Sequence, residues 1–252
     1  MKVSIITITY NSEATLRDTI ESVFLQDYPN IEYIVVDGLS SDATLAIVTE
    51  YGDKIKCVSE KDKGIYDAMS KGVARATGDV IGILNSDDFY PDSQVISRVV
   101  EAFQATNCDA VYGDLVYVDA QDTNKITRNW KAETYNRANF LQGWMPPHPT
   151  FFLKKSCYET FGSYDASFKS AGDYELMLRM LYKHNLSATY IPHVQMKMRA
   201  GGVSNVSLKN RIRANKEDRR AWKINDLQPH WYTLWLKPLS KVVQWLGAKS
   251  SS

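Results

Sequence analysis

Val80-Ile81-Gly82-Ile83-Leu84-Asn85-Ser86-Asp87-Asp88-Phe89 decides how this chain is read. An apolar run ends on two adjacent carboxylates. Side chains alternate along a strand, so neighbouring aspartates inside one would face opposite ways. At a strand's end the chain can turn, and both can then face one crevice. Two carboxylates held there repel unless a cation sits beside them. A hard divalent ion with oxygen ligands suits such a pair, and ions of this kind are held by one or two carboxylates plus substrate phosphates. The alternative is a solvated turn that uses Asp for local hydrogen bonds, and spacing alone does not separate the two.

Upstream, apolar runs and helical patterns alternate. Val3 to Ile8 is rich in β-branched residues and reads as a buried strand. Asn11 or Ser12 can cap a following helix, with Leu16, Ile20, Val23 and Phe24 at helical spacing. Ile31 to Val36 reads as a second strand, ending at Asp37-Gly38. Ser40 or Ser41 can cap a second helix carrying Leu45, Val48 and Tyr51. Ile55 to Ser59 reads as a third strand and Gly64 to Ala76 as a third helix. Asp92 can cap a fourth, carrying Ile96, Val99, Val100 and Phe103. Regular alternation with short connections predicts an α/β fold, its mostly parallel sheet flanked by helices. Ligands of such sheets bind beyond the carboxyl ends of the strands, where Thr9, Asp37, Glu60, Asp62, Asp87 and Asp88 fall.

After Asp109 the alternation breaks. Ala110 to Val118 reads as a strand, Asp119 to Gln142 as a long loop or small subdomain, and Thr150 to Leu153 as a short strand. Pro146, Pro147 and Pro149 exclude a helix interior around His148. A helix is expected from Asp173 to Lys183 and a strand from Ala188 to Met198. The Gly201-Gly202 turn marks a boundary. The expected division is residues 1–204 (a nucleotide-binding half, 1–108, and an acceptor half, 109–204) and a C-terminal extension, 205–252.

The 252 residues carry a formal charge of +1, unevenly spread. From Lys197 onward twelve Lys or Arg face three Asp or Glu, a balance of +9, which leaves −8 for the first 196 residues. Cys57, Cys108 and Cys157 lack disulfide or zinc spacing and fit buried thiols. The first residues enter a strand-like run at once, and no window approaches a transmembrane stretch, so the expected location is the cytoplasm.

Six segments, taken in order, resemble family 2 glycosyltransferases. They are Ser4-Ile5-Ile6-Thr7-Ile8-Thr9-Tyr10-Asn11, Val35-Val36-Asp37-Gly38-Leu39-Ser40-Ser41-Asp42, Ser59 to Met69 with Lys71-Gly72, Asn85-Ser86-Asp87-Asp88, Pro147-His148-Pro149-Thr150-Phe151-Phe152, and Ser170-Ala171-Gly172-Asp173-Tyr174-Glu175-Leu176. The resemblance spans roughly residues 3 to 204. It implies the GT-A fold and inverting transfer of a sugar from a nucleotide-sugar donor, a UDP-sugar being favoured. The acceptor it implies is a saccharide, lipid-linked in bacterial surface polysaccharide synthesis. It implies that Asp37 and Asp62 hold the base with Thr9 beside it. Asp87 would lie near the ribose and the metal, Asp88 would ligate Mg²⁺ or Mn²⁺, and Asp173 would be the catalytic base. Gly38, where many members carry a second aspartate, and Asn85, at the front of the metal motif, depart from the pattern.

Alternatives stand beside these roles. Asp173 also suits a helix N-cap, Asp165 is a rival base, and Asp37 and Asp62 suit turns or caps. His148 reads as a phosphate or acceptor contact or as a packed histidine, and Arg199 as a diphosphate clamp or a surface arginine. Rival functions are a nucleotidyltransferase and a catalytically silent nucleotide-sugar-binding module. The former usually has a Gly-rich basic loop after the first strand, where this chain has Thr9-Tyr10-Asn11-Ser12.

The extension joins a basic run, Lys209 to Lys223, to Trp231, Tyr232, Leu234, Trp235 and Leu236. Beyond Pro238, Leu239, Val242, Val243 and Leu246 share a helical face. Tryptophan and tyrosine flanked by lysine favour a membrane interface. The expected partner is an anionic membrane surface on the inner face of the cell, with packing on protein as the alternative. No nucleic-acid recognition motif accompanies the basic run, and the oligomeric state is not legible.

Overall fold

Four strands come first: β1 (Val3–Thr9), β2 (Ile31–Asp37), β3 (Lys56–Ser59) and β4 (Val80–Asn85). Between them run α1 (Leu16–Phe24), α2 (Thr44–Thr49) and α3 (Ile65–Arg75), and α4 (Val95–Thr106) follows. The structure is a computed structural model that describes residues 1–201 and 208–233, with side chains in the second segment described from 213 onward. All seven residues of β1 are buried, because β1 pairs with β2 on one side and β4 on the other, both parallel.

The later chain extends the same sheet. β5 (Ala110–Val118), β6 (Ile126–Trp130) and β7 (Phe152–Lys154) join antiparallel, and β8 (Ala188–Arg199) lies parallel to β5. The eight-stranded order is β3-β2-β1-β4-β7-β5-β6, with β8 beside β5. The sheet is therefore continuous across residues 108 and 109. Alternation along β1 sends Ile6 and Ile8 to one apolar core, with Met69, Val73, Tyr174 and Trp222. Val3 and Ile5 face the other, with Leu16, Ile20, Val99 and Phe103. Two short helices, α5 (Lys155–Phe161) and α6 (Gly172–Met177), and the longer α7 (Leu208–Ile224) follow.

Several expectations need correction. α1 starts at Leu16, not behind Asn11 or Ser12, because residues 11–15 form a turn bonded elsewhere. Asn11 accepts from Ser41 N at 2.9 Å, and Ser12 N donates to Thr44 Oγ1 at 2.8 Å. α2 starts at Thr44, where Asp42 rather than Ser40 or Ser41 receives the amide. The stretch expected to be irregular contains β6. Its alternation is masked by Arg128, only 8% exposed, whose guanidinium lies 4.6 Å from the Tyr117 ring centroid. The helix expected from Asp173 to Lys183 is α-helical to Met177 and π-helical from Leu178 to Lys183. Cys57 is exposed, because β3 is an edge strand, whereas Cys108 and Cys157 are buried.

At the amino-terminal end of the sheet Glu32 is almost wholly enclosed, its side chain 2% exposed. It accepts from Ser4 Oγ at 2.5 Å, Lys56 Nζ at 2.6 Å, Thr77 Oγ1 at 2.7 Å and Lys2 Nζ at 3.3 Å. Burial works against its charge, but the bonds from Lys56, Ser4 and Thr77 outweigh it and hold the carboxyl far below its usual range.

Candidate active site

The carboxyl ends of β1, β2 and β4 lie side by side. Thr9 is paired in register with Asp37, and Ile8 with Asn85. Three hydroxyls before and within α1 hold the turn after β4: Ser12 Oγ lies 2.8 Å from Ser86 Oγ, Thr15 donates to Ser86 O at 2.8 Å, and Thr19 to Asp88 O at 2.8 Å. The helix therefore starts late because its leading residues brace the carboxylate turn.

Asp87 is half-buried and Asp88 lies fully buried beneath it. Asp88 Oδ2 accepts from Asn85 Nδ2 at 3.0 Å, while Asp88 Oδ1, Asn85 Oδ1 and Thr9 Oγ1 are buried without a hydrogen-bond partner among the described residues. Burial, then the charge of Asp87, pushes the Asp88 carboxyl well above its usual range. Burial raises Asp87 as well, and the Arg199 guanidinium opposes that rise. Arg199 is itself buried. It pairs with Asp18 and lies 4.9 Å from the Phe89 ring centroid, and a strand bridge joins Phe89 to Lys197.

Asp37 is fully buried and accepts from Ser40 N at 3.1 Å, from Ser40 Oγ and from Ser59 Oγ at 2.6 Å. In this conformation its oxygens shape the loop after β2. Asp62 is partly exposed and accepts from Gly64 N at 2.8 Å. Its Oδ2 lies across Gly38, where a Cβ would meet it at 2.5 Å. The departure at Gly38 thus leaves the space that the Asp62 carboxylate occupies.

Asp173 sits in the first turn of α6 without acting as its N-cap, which is Ala171. Tyr66 from α3 donates to Asp173 Oδ1 at 3.2 Å, and its ring lies flat against Gly172, where a Cβ would meet ring carbons at 2.8 Å. Tyr66 stacks with Tyr164 at 6.2 Å, and Tyr164 Oη lies 2.8 Å from His148 Nε2. His148 is buried, which lowers its pKa, with Asp173 opposing the fall. Asp165 is taken up locally by Ser167 N at 2.8 Å.

The family model for glycosyl transferase family 2 matches residues 4–168. The chain belongs to glycosyl transferase family 2. A PGL/p-HBAD biosynthesis glycosyltransferase of Mycobacterium bovis is 30% identical over 209 residues, 80% of this chain and 78% of the relative. An uncharacterized glycosyltransferase of Mycobacterium tuberculosis is 33% identical over 180 residues, 70% of this chain and 68% of the relative. Among solved structures, Staphylococcus aureus TarS 1-349 superposes with a TM-score of 0.70 at 18% identity, over 98% of this chain and 71% of that one. The Pyrobaculum calidifontis mannosyltransferase PcManGT, in complex with GDP-Man and Mn²⁺, gives 0.65 at 17% identity, over 100% and 76%. The chain has the GT-A fold expected of this glycosyltransferase family.

The donor set of this glycosyltransferase fits a hard divalent ion: carboxylate, amide and hydroxyl oxygens, three of them buried and unpartnered. Among the described residues no group of three or more His, Cys, Asp or Glu could hold a metal, so substrate oxygens and water would complete the shell. Tyr10 and Tyr66 are among the residues that went unread in the sequence. Tyr10 is 64% exposed just past β1, its ring 3.5 Å from the Cβ position of Gly38, and no local pattern marked it. Tyr66 lies within a segment quoted for the resemblance, yet nothing local shows that it reaches Asp173, 107 residues away.

Proposed function

We propose that this glycosyltransferase transfers a sugar, with inversion, from a nucleotide-sugar donor to a saccharide hydroxyl. Asp87 and Asp88 would hold Mg²⁺ or Mn²⁺, Asp87 from the open side and Asp88 through its free Oδ1. When bound, the ion stabilises charge on the departing diphosphate as a Lewis acid. Thr9, Asp37 and Asp62 would line the base and ribose, with the exposed Tyr10 ring offering a stacking face. Asp173 accepts the acceptor hydroxyl's proton as that oxygen bonds the anomeric carbon and the diphosphate oxygen leaves. Arg199 tempers the repulsion between the two carboxylates from beneath, and buried His148 holds Tyr164 against Tyr66 and so supports the base. The observation that carries the reading is the pair Asp87–Asp88, one half-buried and one fully buried, both raised in pKa, with an Asp88 oxygen that no described protein group satisfies.

TarS has been solved with UDP and with UDP-GlcNAc, and the archaeal mannosyltransferase with GDP-Man and Mn²⁺. A UDP-sugar remains the favoured donor. The acceptor is a lipid-linked saccharide of bacterial surface polysaccharide, and the relative named for PGL/p-HBAD biosynthesis supports a biosynthetic glycosyltransferase. Arg213, Lys216, Arg219 and Lys223 line the exposed side of α7, and Trp231 is 86% exposed beyond it. This face supports peripheral contact with the anionic inner surface of the cell membrane. Leu234 to Leu246, the rest of the expected contact, lie outside the described residues, and no described helix is long and apolar enough to cross a membrane. Thermal shift with UDP, GDP, UDP-GlcNAc and GDP-mannose, each with and without Mn²⁺, tests the donor reading. One nucleotide should stabilise the chain selectively and only with the ion, and a flat response to all of them in Mn²⁺ would overturn it.

A further inference from the structure

The loop that carries Asp173 is gripped from the far end of the chain. Glu217 on α7 places its carboxylate on three successive backbone amides: Lys169 N at 3.0 Å, Ser170 N at 2.7 Å and Ala171 N at 3.0 Å. Successive amides that converge on one anion form a nest, and bonds to an ionised acceptor are among the stronger ones. Gly172 and Asp173 follow directly. The Tyr66 ring closes on Gly172 and its hydroxyl reaches Asp173. Asp173 is thus fixed by a carboxylate on the amides that precede it and by a phenol on its own side chain.

We infer that Glu217 is a positioning residue for Asp173: it fixes the three amides before the base and so sets where the base carboxylate points. The inference rests on the reading of Asp173 as the base. Its neighbours on α7 and just past its end do different work. Trp222 donates to Tyr174 Oη at 2.9 Å and Asn225 to Glu175 Oε1 at 3.0 Å, both buried and both beyond Asp173 in the chain. They fasten the body of α6 to the core. Glu217 is only partly buried and, among the described residues, binds backbone alone, so its loss frees the approach to Asp173 while the packing stays. A misplacement of a reacting group by about 1 Å can lower a rate by roughly 10²-fold.

The test uses the full chain with Glu217→Ala and Glu217→Gln, and Trp222→Phe as a control on the same helix. Hydrogen exchange is read over residues 166–176. Turnover is read as UDP released from UDP-GlcNAc, or GDP from GDP-mannose, in Mn²⁺. Glu217→Ala should speed exchange at residues 169–171 and lower kcat about 10–100-fold, with the donor KM within about twofold. Glu217→Gln, which keeps an acceptor oxygen, should recover part of that loss, and Trp222→Phe, which loosens the body of α6, should leave exchange at residues 169–171 unchanged and lower kcat less than Glu217→Ala does. Unchanged exchange in both Glu217 variants overturns the inference. So does faster exchange with unchanged kcat, or an equal loss in Trp222→Phe. Asp173→Asn separates the two readings: if it turns over normally the base assignment fails, whereas an inert Asp173→Asn beside a normal Glu217→Ala sinks the positioning role alone.

Discussion

The same parallel strands bury carboxylates at both ends, and the two ends treat them oppositely. At the amino-terminal end Glu32 is enclosed by two lysines, a serine and a threonine, and its charge is favoured. At the carboxyl end Asp88 is just as deeply buried, faces a second carboxylate and keeps one oxygen without a partner. A buried charge with full partners holds a fold together, whereas one left short of partners marks a place where something else must bind. Mutations at the two ends should therefore separate cleanly, one end losing turnover and the other losing stability.

The largest loss is expected at the base. Asp173→Asn should lower kcat about 10²–10⁴-fold while the thermal shift given by nucleotide and Mn²⁺ persists, and comparable turnover would move the role to another carboxylate, with Asp165 the first to examine. Next, Asp87→Asn or Asp88→Asn should weaken Mn²⁺-dependent nucleotide binding by at least the roughly 10–100-fold that loss of an outer partner costs a metal site. Calorimetric titration of UDP or GDP with and without Mn²⁺ reads this directly. Gly38→Ala should displace Asp62 and raise the donor KM by about 3–10-fold at nearly constant kcat, a change near 1 kcal/mol; a shift in kcat instead would detach Asp62 from donor binding. Tyr66→Phe removes one hydrogen bond from Asp173 and should lower kcat about fivefold, in line with about 1 kcal/mol per bond.

The opposite end should leave turnover untouched. Glu32 has a depressed pKa in the folded chain, so it contributes stability above its unfolded value, about 4.3. That contribution is lost as pH falls from there through the lower native value. Glu32→Gln should therefore lower Tm near neutral pH, and the gap to wild type should narrow below about pH 4. A gap that stays constant with pH would show that packing, not charge, makes the difference.

The parallel half could be read from sequence because its signals are local. Runs such as Val3–Thr9 and Val80–Asn85 are rich in β-branched or apolar residues where both faces are covered, and the polar residues that end them fall at one edge of the sheet. The rest depended on contacts far apart in the chain. β6 was hidden because Arg128 sits buried against Tyr117, so a charge stands where alternation calls for an apolar residue. The setting of Asp173 draws on Tyr66, Tyr164, His148 and Glu217, four positions whose spacing carries no period. Arg199 read equally as clamp or surface residue, because its burial depends on Asp18, 181 residues earlier.

The open edge of the sheet offers a practical handle. Of three thiols only Cys57 meets solvent, so a maleimide dye should label the folded native chain at a single place. The strand that bears it runs on toward Asp62, and its emission would then follow occupancy of the neighbouring crevice in real time, with no engineered cysteine.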